Sequence, residues 1–154
     1  MDLSDLIKPE AVVPSLKANS KKQAIQALAE KAAAITGVEE REIFETLVQR
    51  EKLGSTGVGG GIAIPHGKIA GLDRIFGLFA RLSRPIDFEA VDDQPVDLVF
   101  LLLAPESAGA DHLKALARVA RLFREPGVAG KLRASTDKSA LFSVLTEGAT
   151  PNAA

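Results

Sequence analysis

The sequence has no cysteine, tryptophan or tyrosine, and its 154 residues include one methionine and two histidines. Without cysteine, a disulfide framework, a thiolate zinc site and a cysteine nucleophile are all excluded. The 19 basic and 20 acidic side chains give a formal net charge of -1, which argues against nucleic-acid binding through bulk charge. With 46% hydrophobic and 25% charged residues, the composition is typical of one soluble globular domain with a single core.

Long apolar runs are missing as well. The longest strongly apolar stretch, Val96 to Ala104, is interrupted by Asp97 and is far shorter than the ~20 residues that span a bilayer. The amino-terminal residues have neither the basic start nor the continuous apolar core of an export signal. We therefore expect a cytoplasmic protein without membrane insertion, in which residues 1–148 form one domain and residues 149–154 form a flexible tail.

Hydrophobic periodicity predicts helices interleaved with strands. Ser20 and Gln23 resemble a capping box at the start of a helix that Gly37 ends, and glutamates favour the start of a second helix before Gly54. Further helices are predicted over 111–124 and 136–147, and strands over 62–64, 75–82 and 96–104. The last strand is apolar on both faces, so we expect it at the centre of a sheet. This order of elements predicts an α/β sandwich with helices on both faces.

The segment from Gly54 to Lys68 reads GSTGVGGGIAIPHGK and places His66 between a glycine-rich loop and a short apolar run. Near neutral pH much of an imidazole is uncharged, so one ring nitrogen carries a free lone pair and can act as a nucleophile. Glycines permit positive φ, and consecutive N–H groups of such a loop can form an anion-binding concavity. Nucleophile and anion cradle together suggest a phosphate site. The simpler alternative is a surface connection without a binding role.

The nucleotide-binding versions of a glycine-rich loop fit this segment poorly. A P-loop needs Ser or Thr after Gly67-Lys68, where Ile69 stands, and its first glycine would fall on Ile62. A dinucleotide-binding fingerprint would need a small residue at that same position and a helix afterwards, which Pro65 disfavours. We therefore expect no nucleotide and no other cofactor.

The run REKLGST from Arg50 to Thr56, followed by GIAIPHGK from Gly61 to Lys68, resembles the phosphorylation-site motif of the mannitol/fructose-type enzyme IIA proteins. The resemblance continues through residues 85–105 and 111–113 and covers almost the whole chain. It is closest to the nitrogen-regulatory branch of the phosphotransferase system. The fold that it implies is a mixed five-stranded sheet flanked by helices.

The same resemblance implies roles for individual residues. His66 would accept a phosphoryl group from an HPr-like phosphocarrier protein. An upstream enzyme I would transfer this group from phosphoenolpyruvate to the carrier. His112 would be the second active-site histidine, and Arg50 would stabilise the phosphate. A guanidinium and an imidazole N–H suit the dianionic group through charge-assisted hydrogen bonds. A solvated helix-end cation and an ordinary surface histidine are the simpler alternatives for these two residues. Further phosphate contacts are expected from Ser55, Thr56 and Gly57.

The nitrogen-regulatory branch implies a regulatory output, in which phosphorylation changes the binding of target proteins. No segment resembling a IIB domain is present in the sequence, which favours this output over sugar transport. A sugar-specific enzyme IIA that serves a separate IIB, and a binding module that has lost phosphorylation, remain as alternatives. A metal-dependent hydrolase built on His66, His112 and a carboxylate such as Asp111 is a third, although the two histidines lack the close spacing of most metal motifs.

The phosphocarrier must bring its own phosphohistidine next to His66, so we expect it to meet an accessible and largely uncharged rim. The residues expected to form this rim are the loop glycines with Ile62, Ile64 and Ile69. We expect the contact to be small and short-lived, because the carrier has to leave after transfer.

Overall fold

The computed structural model describes residues 2–148, so the predicted tail at 149–154 lies outside the described residues. The helices are α1 (Leu3–Leu6), α2 (Lys21–Thr36), α3 (Glu40–Lys52), α4 (Ala110–Arg124), α5 (Val128–Ala134) and α6 (Lys138–Glu147). The strands are β1 (Val12–Leu16), β2 (Gly57–Gly59), β3 (Ile62–Ala63), β4 (His66–Ile69), β5 (Phe76–Ile86) and β6 (Val96–Pro105). Short 3₁₀ turns cover Pro9–Ala11 and Glu106–Ala108.

The strands form one mixed sheet in the order β1-β5-β6-β3-β2, and β4 also pairs with β6. β5 lies antiparallel to β6, whereas β3 and β4 lie parallel to it. β3 and β4 keep one register, since Ile62 is opposite Leu98 and His66 is opposite Leu102. They therefore occupy the same position in the sheet, one after the other along β6, and we call such a position a lane. This lane is interrupted before His66, around Pro65. The predicted mixed α/β sheet is confirmed, with six strands in five lanes where five strands were predicted.

The helices pack in two groups, one on each face of the sheet. α2 and α3 pack together, with α2 also against β5 and α3 also against β4. On the other side α4 and α5 contact β6, α6 contacts β1, and α1 packs on α4 and α6. All residues of β6 except Asp97 are buried, as expected for a central strand covered on both faces. The predicted layered sandwich is thereby confirmed.

Capping interactions fix the boundaries of α2 and the start of α6. The Ser20 hydroxyl accepts the backbone N–H of Gln23 at 3.2 Å, and α2 ends at Gly37, which has a φ of 78°. This end requires the left-handed conformation that glycine adopts without strain. The last helix begins at Lys138, two residues later than predicted, because the side chain of Asp137 caps it.

Five elements were not predicted from the sequence: α1, α5, β1, β2 and β4. Most of them are too short to show a hydrophobic period. β2 and β4 also contain glycines, which are depleted in strands, and β1 contains Pro14. Proline is tolerated in β1 because this strand lies at an edge of the sheet.

Gly77, the second residue of β5, is packed too tightly for a side chain. A Cβ atom there would lie 2.8 Å from the carbonyl oxygen of Leu6 and 2.9 Å from the ring of Phe100. We expect Gly77→Ala to lower the free energy of unfolding by about 1–3 kcal/mol, as overpacked cores do, in urea denaturation. Gly130 in α5 has open space around it, so Gly130→Ala should raise the value by about 0.5–1 kcal/mol. Equal effects of the two substitutions would contradict the packing at Gly77.

Candidate active site

His66 is the first residue of β4, and the backbone orients its ring. Its Nδ1 lies 2.9 Å from the carbonyl oxygen of Ile64. A carbonyl oxygen only accepts hydrogen bonds, so Nδ1 carries the proton and the neutral ring has its lone pair on Nε2. The preceding Pro65 is anchored to the central strand, since its carbonyl accepts the N–H of Leu102 at 2.9 Å. The nucleophilic nitrogen of His66 is therefore Nε2.

Arg50, in the last turn of α3, reaches this nitrogen. Its Nε donates to His66 Nε2 at 3.2 Å, and its Nη1 donates to the carbonyl oxygen of Gly54 at 2.9 Å. The guanidinium thus connects the imidazole to the start of the glycine-rich loop. A solvated helix-end cation would not make these two contacts, and a guanidinium stays charged at any physiological pH.

His112, in the first turn of α4, lies beside His66. The ring centroids are 5.6 Å apart and the rings meet edge to face at 72°. Only 8% of His112 is exposed, so the alternative of an ordinary surface histidine is wrong. Its Nε2 is buried and has no hydrogen-bond partner within residues 2–148. An unpaired buried nitrogen is costly, which leaves it available to a polar group that enters the site.

The residues before β2 hold the loop in place. The Ser55 hydroxyl donates to the carbonyl oxygen of Phe88 at 2.8 Å and accepts the N–H of Gly57 at 3.0 Å. Thr56 donates its N–H to Glu51 at 3.1 Å, and its hydroxyl donates to the same carboxylate. These donors are engaged with the protein itself. Direct phosphate contacts of Ser55, Thr56 and Gly57 therefore stay a prediction, and the observed contacts support the shape of the loop.

A shallow cavity of about 200 Å³ opens beside His66. It lies between the two helical layers at the edge of the sheet that carries β2. The residues that line it are Arg50, Ser55, Thr56, Val58, Ile64, His66, Leu116 and Ala120. α3 thus contributes the cation and α4 contributes an apolar wall.

The predicted rim of isoleucines is wrong. Ile62, Ile64 and Ile69 are all buried, because they belong to the lane of the sheet that packs on the core. Within residues 2–148, the large apolar side chains that are exposed are instead Leu53, Val58, Val91 and Leu113. Val58 lines the cavity, and the N–H of Val91 donates to the carbonyl oxygen of Gly57 next to it. Leu53 directly precedes the glycine-rich loop, and Leu113 directly follows His112. Leu53 is 85% exposed and Leu113 is 70% exposed. We call these four residues the apolar rim.

Burial favours the neutral form of both imidazoles. Burial lowers the pKa of His66 below the ordinary value of 6.5, and the charge of Arg50 acts in the same direction, while the hydrogen bond with Ile64 opposes them. Burial also lowers the pKa of His112, and the charges of His66 and Lys68 add to that effect. A neutral His66 at pH 7 keeps its lone pair for reaction.

The lowered pKa values predict how stability depends on pH. The unfolded chain takes up protons on its histidines near pH 6.5, whereas the folded chain does so only at lower pH. The free energy of unfolding is therefore insensitive to these groups above about pH 6.5 and falls as the pH drops from there to the lower folded pKa values. NMR titration of ¹⁵N-labelled histidine should show both rings titrating below 6.5. A His66→Gln/His112→Gln variant should lose this part of the pH dependence in urea denaturation, and a ring that titrates above 6.5 would contradict it.

The metal-dependent hydrolase hypothesis requires a set of metal ligands, and the part of the chain that the structure describes does not provide one. There, no three His, Cys, Asp or Glu side chains lie together as metal ligands. Asp111, the carboxylate of that hypothesis, is exposed. Within residues 2–148, none of the helices is both long and apolar enough to cross a membrane.

The fold and the paired histidines with their arginine define the class of this protein. The chain belongs to the family described as "Phosphoenolpyruvate-dependent sugar phosphotransferase system, EIIA 2", whose profile it matches over residues 5–148. It is therefore a component of the enzyme IIA type of a phosphotransferase system. The resemblance seen in the sequence is confirmed at this level.

Several of the similar proteins are nitrogen regulatory proteins. The chain is 68% identical to a nitrogen regulatory protein of Bradyrhizobium diazoefficiens over 145 residues, which are 94% of this chain and 95% of that protein. It is 38% identical to a nitrogen regulatory protein of Escherichia coli strain K12 over 148 residues, covering 96% and 91%. The crystal structure of nitrogen regulatory protein IIA-Ntr from Neisseria meningitidis superposes with a TM-score of 0.88 at 33% identity, covering 94% and 99%.

Proposed function

We propose that the chain is a phosphoryl-accepting regulatory protein of a nitrogen-type phosphotransferase system, in which His66 Nε2 takes the phosphoryl group from an HPr-like phosphocarrier. The observation that carries this proposal is the contact between His66 Nδ1 and the Ile64 carbonyl. It leaves the Nε2 lone pair free beside the guanidinium of Arg50. The family and the nitrogen regulatory relatives support the same conclusion. A cytoplasmic location stays a prediction.

The transfer balances without a separate base. The His66 Nε2 lone pair attacks phosphorus, and the N–P bond of the carrier's phosphohistidine breaks in line with it. The carrier ring, protonated on its other nitrogen, leaves as a neutral imidazole. The His66 ring keeps its proton on Nδ1, and the Ile64 carbonyl oxygen that accepts this N–H stabilises the positive charge that the ring gains.

Arg50 and His112 are placed to stabilise the transferred group. The Arg50 Nε–H that now points at Nε2 would donate to a phosphoryl oxygen once phosphorus occupies that nitrogen. The unpartnered Nε2 of His112, when it carries the proton, would donate to another. Phosphoryl transfer depends mainly on such positioning and charge stabilisation.

The regulatory output would come from the change of charge at this surface. Phosphorylation places about two negative charges inside the apolar rim, which changes the set of partners that fit it. Target proteins would then bind the phosphorylated and unphosphorylated forms differently. In the sugar-specific alternative, the same phosphohistidine would pass its group to a separate IIB protein, so offering it that protein and following the phosphate separates the two.

Reconstitution of the transfer tests the proposed function. The purified chain is incubated with enzyme I, its HPr-like carrier and phosphoenolpyruvate, and its intact mass is measured. We expect the addition of one phosphoryl group, labile in acid and stable in base, and none when any of the three components is left out. An unchanged mass, in a mixture that phosphorylates another enzyme IIA, would contradict the proposal and favour the non-phosphorylated binding module.

The apolar rim predicts where the carrier docks. Leu113→Asp places a charge on an exposed apolar side chain next to His112, so it should weaken the contact and raise the KM for the carrier about tenfold. Ser139→Asp on α6 is the matched control, because Ser139 is exposed and α6 packs against β1 at the far edge of the sheet. NMR shifts on adding the carrier should cluster at 53–58 and 112–116. Shifts confined to α6 would exclude this docking face.

A further inference from the structure

A largely buried ion pair lies behind the candidate active site. Lys21 Nζ is 2.7 Å from Glu51 Oε2, and the two side chains are 17% and 7% exposed. The same ammonium lies 5.0 Å from the centroid of the Phe88 ring and 3.6 Å from a carboxylate oxygen of Glu89. Glu51 directly follows Arg50 in α3, so the pair joins α2 to the helix that delivers the guanidinium.

Lys21 stands where a cation is disfavoured by its own helix. It is the first residue of α2, after the cap Ser20, at the positive end of the helix dipole. Glutamate or aspartate would be favourable at this position. A lysine at this position is therefore explained by its contact with Glu51, since it does not stabilise the start of α2.

Glu51 connects this pair to the glycine-rich loop. Its carboxylate accepts the N–H and the hydroxyl of Thr56, in addition to the ammonium of Lys21. Thr56 lines the cavity beside His66. The carboxylate is also near enough to His66 for its charge to raise the pKa of that ring, against the larger lowering by burial.

A carboxylate near His66 disfavours phosphorylation, because the phosphorylated His66 ring carries a dianionic group. Like charges repel strongly where water is excluded, so a bare carboxylate behind the pocket would oppose phosphorylation. We propose that Lys21 is a positioning residue for phosphoryl transfer, which neutralises Glu51 and holds it on Thr56, so that the pocket at His66 tolerates the dianion. This inference rests on the proposed function.

The test removes the charge of Lys21 with and without its partner. Lys21→Met keeps an apolar stem over Phe88 and should slow phosphorylation about tenfold, because Glu51 is left uncompensated. In the same variant the pKa of His66 should rise relative to the parent. Lys21→Met/Glu51→Gln removes both charges while the amide oxygen still accepts the Thr56 N–H, so its rate should return to within about threefold of the parent.

Lys22→Met is the matched control. Lys22 is the next residue of the same helix, is exposed, and forms no ion pair within residues 2–148. It should keep the rate of the parent and its His66 pKa. Circular dichroism of all variants confirms that they are folded.

Two results would overturn the inference. One is a Lys21→Met variant with the parent's rate and His66 pKa. The other is a double variant as slow as Lys21→Met, which would show that the pair matters through packing alone. A parent chain that accepts no phosphate would instead refute the proposed function. In that case the NMR titration of His66 still decides whether Lys21 compensates Glu51, since it needs no phosphorylation.

Discussion

His66→Ala should accept no phosphoryl group under conditions in which the parent chain is fully modified. The reason is that only His66 has a ring nitrogen whose lone pair is fixed toward the cavity, by the hydrogen bond from Nδ1 to Ile64. Alanine removes the nucleophile without inserting a larger group. Intact-mass measurement after incubation with enzyme I, carrier and phosphoenolpyruvate is the direct readout.

The control for this result is a check that the His66→Ala variant is folded. His66 lies in a strand paired with β6, so circular dichroism and urea denaturation of His66→Ala should be compared with those of the parent. His112 is the only other histidine and lies 5.6 Å away between ring centroids. A folded His66→Ala variant that is phosphorylated as fast as the parent would show that the acceptor has been assigned wrongly.

Arg50→Ala should slow phosphorylation on the order of 10²-fold without abolishing it. One well-placed cationic donor contributes about that much to a transition state of developing charge, while the nucleophile itself remains. Arg50→Lys should lie between the parent and Arg50→Ala. Lysine keeps the charge but loses the planar fork, which in the parent reaches His66 and the Gly54 carbonyl at the same time.

Quench-flow measurement of the single-turnover rate gives this comparison, with Arg41→Ala as the matched control. Arg41 lies in the same helix but is exposed, and it pairs with Glu45 in the next turn. Such a surface pair contributes little, so the control should react like the parent. Rates equal to the parent's in Arg50→Ala would remove Arg50 from the site and leave His66 with His112 and the loop.

The sequence by itself determined the elements that have a clear period or cap. α2, α3 and α4 could be predicted because apolar residues recur at helical spacing after a cap or an acidic first turn and stop before a glycine. The long strands β5 and β6 could be predicted because continuous apolar runs of that length favour buried strands. The motif around His66 indicated the family and the nucleophile, since its glycines and its histidine can be recognised from the sequence alone.

Only the tertiary structure decided how these parts meet. Arg50 and His112 come from helices in different layers, and their place beside His66 depends on the packing of both layers at one edge of the sheet. The pairing of Lys21 with Glu51 likewise joins two helices that no local pattern relates.

Two finer features of the site also depend on the fold. The tautomer of His66 follows from the break between β3 and β4, where the Ile64 carbonyl lies beside the ring. The exposed apolar residues were misplaced for a related reason. A short segment such as residues 62–69 shows no period that would distinguish buried from exposed apolar side chains. The pairing of β3 and β4 with β6 decides which of them face the core.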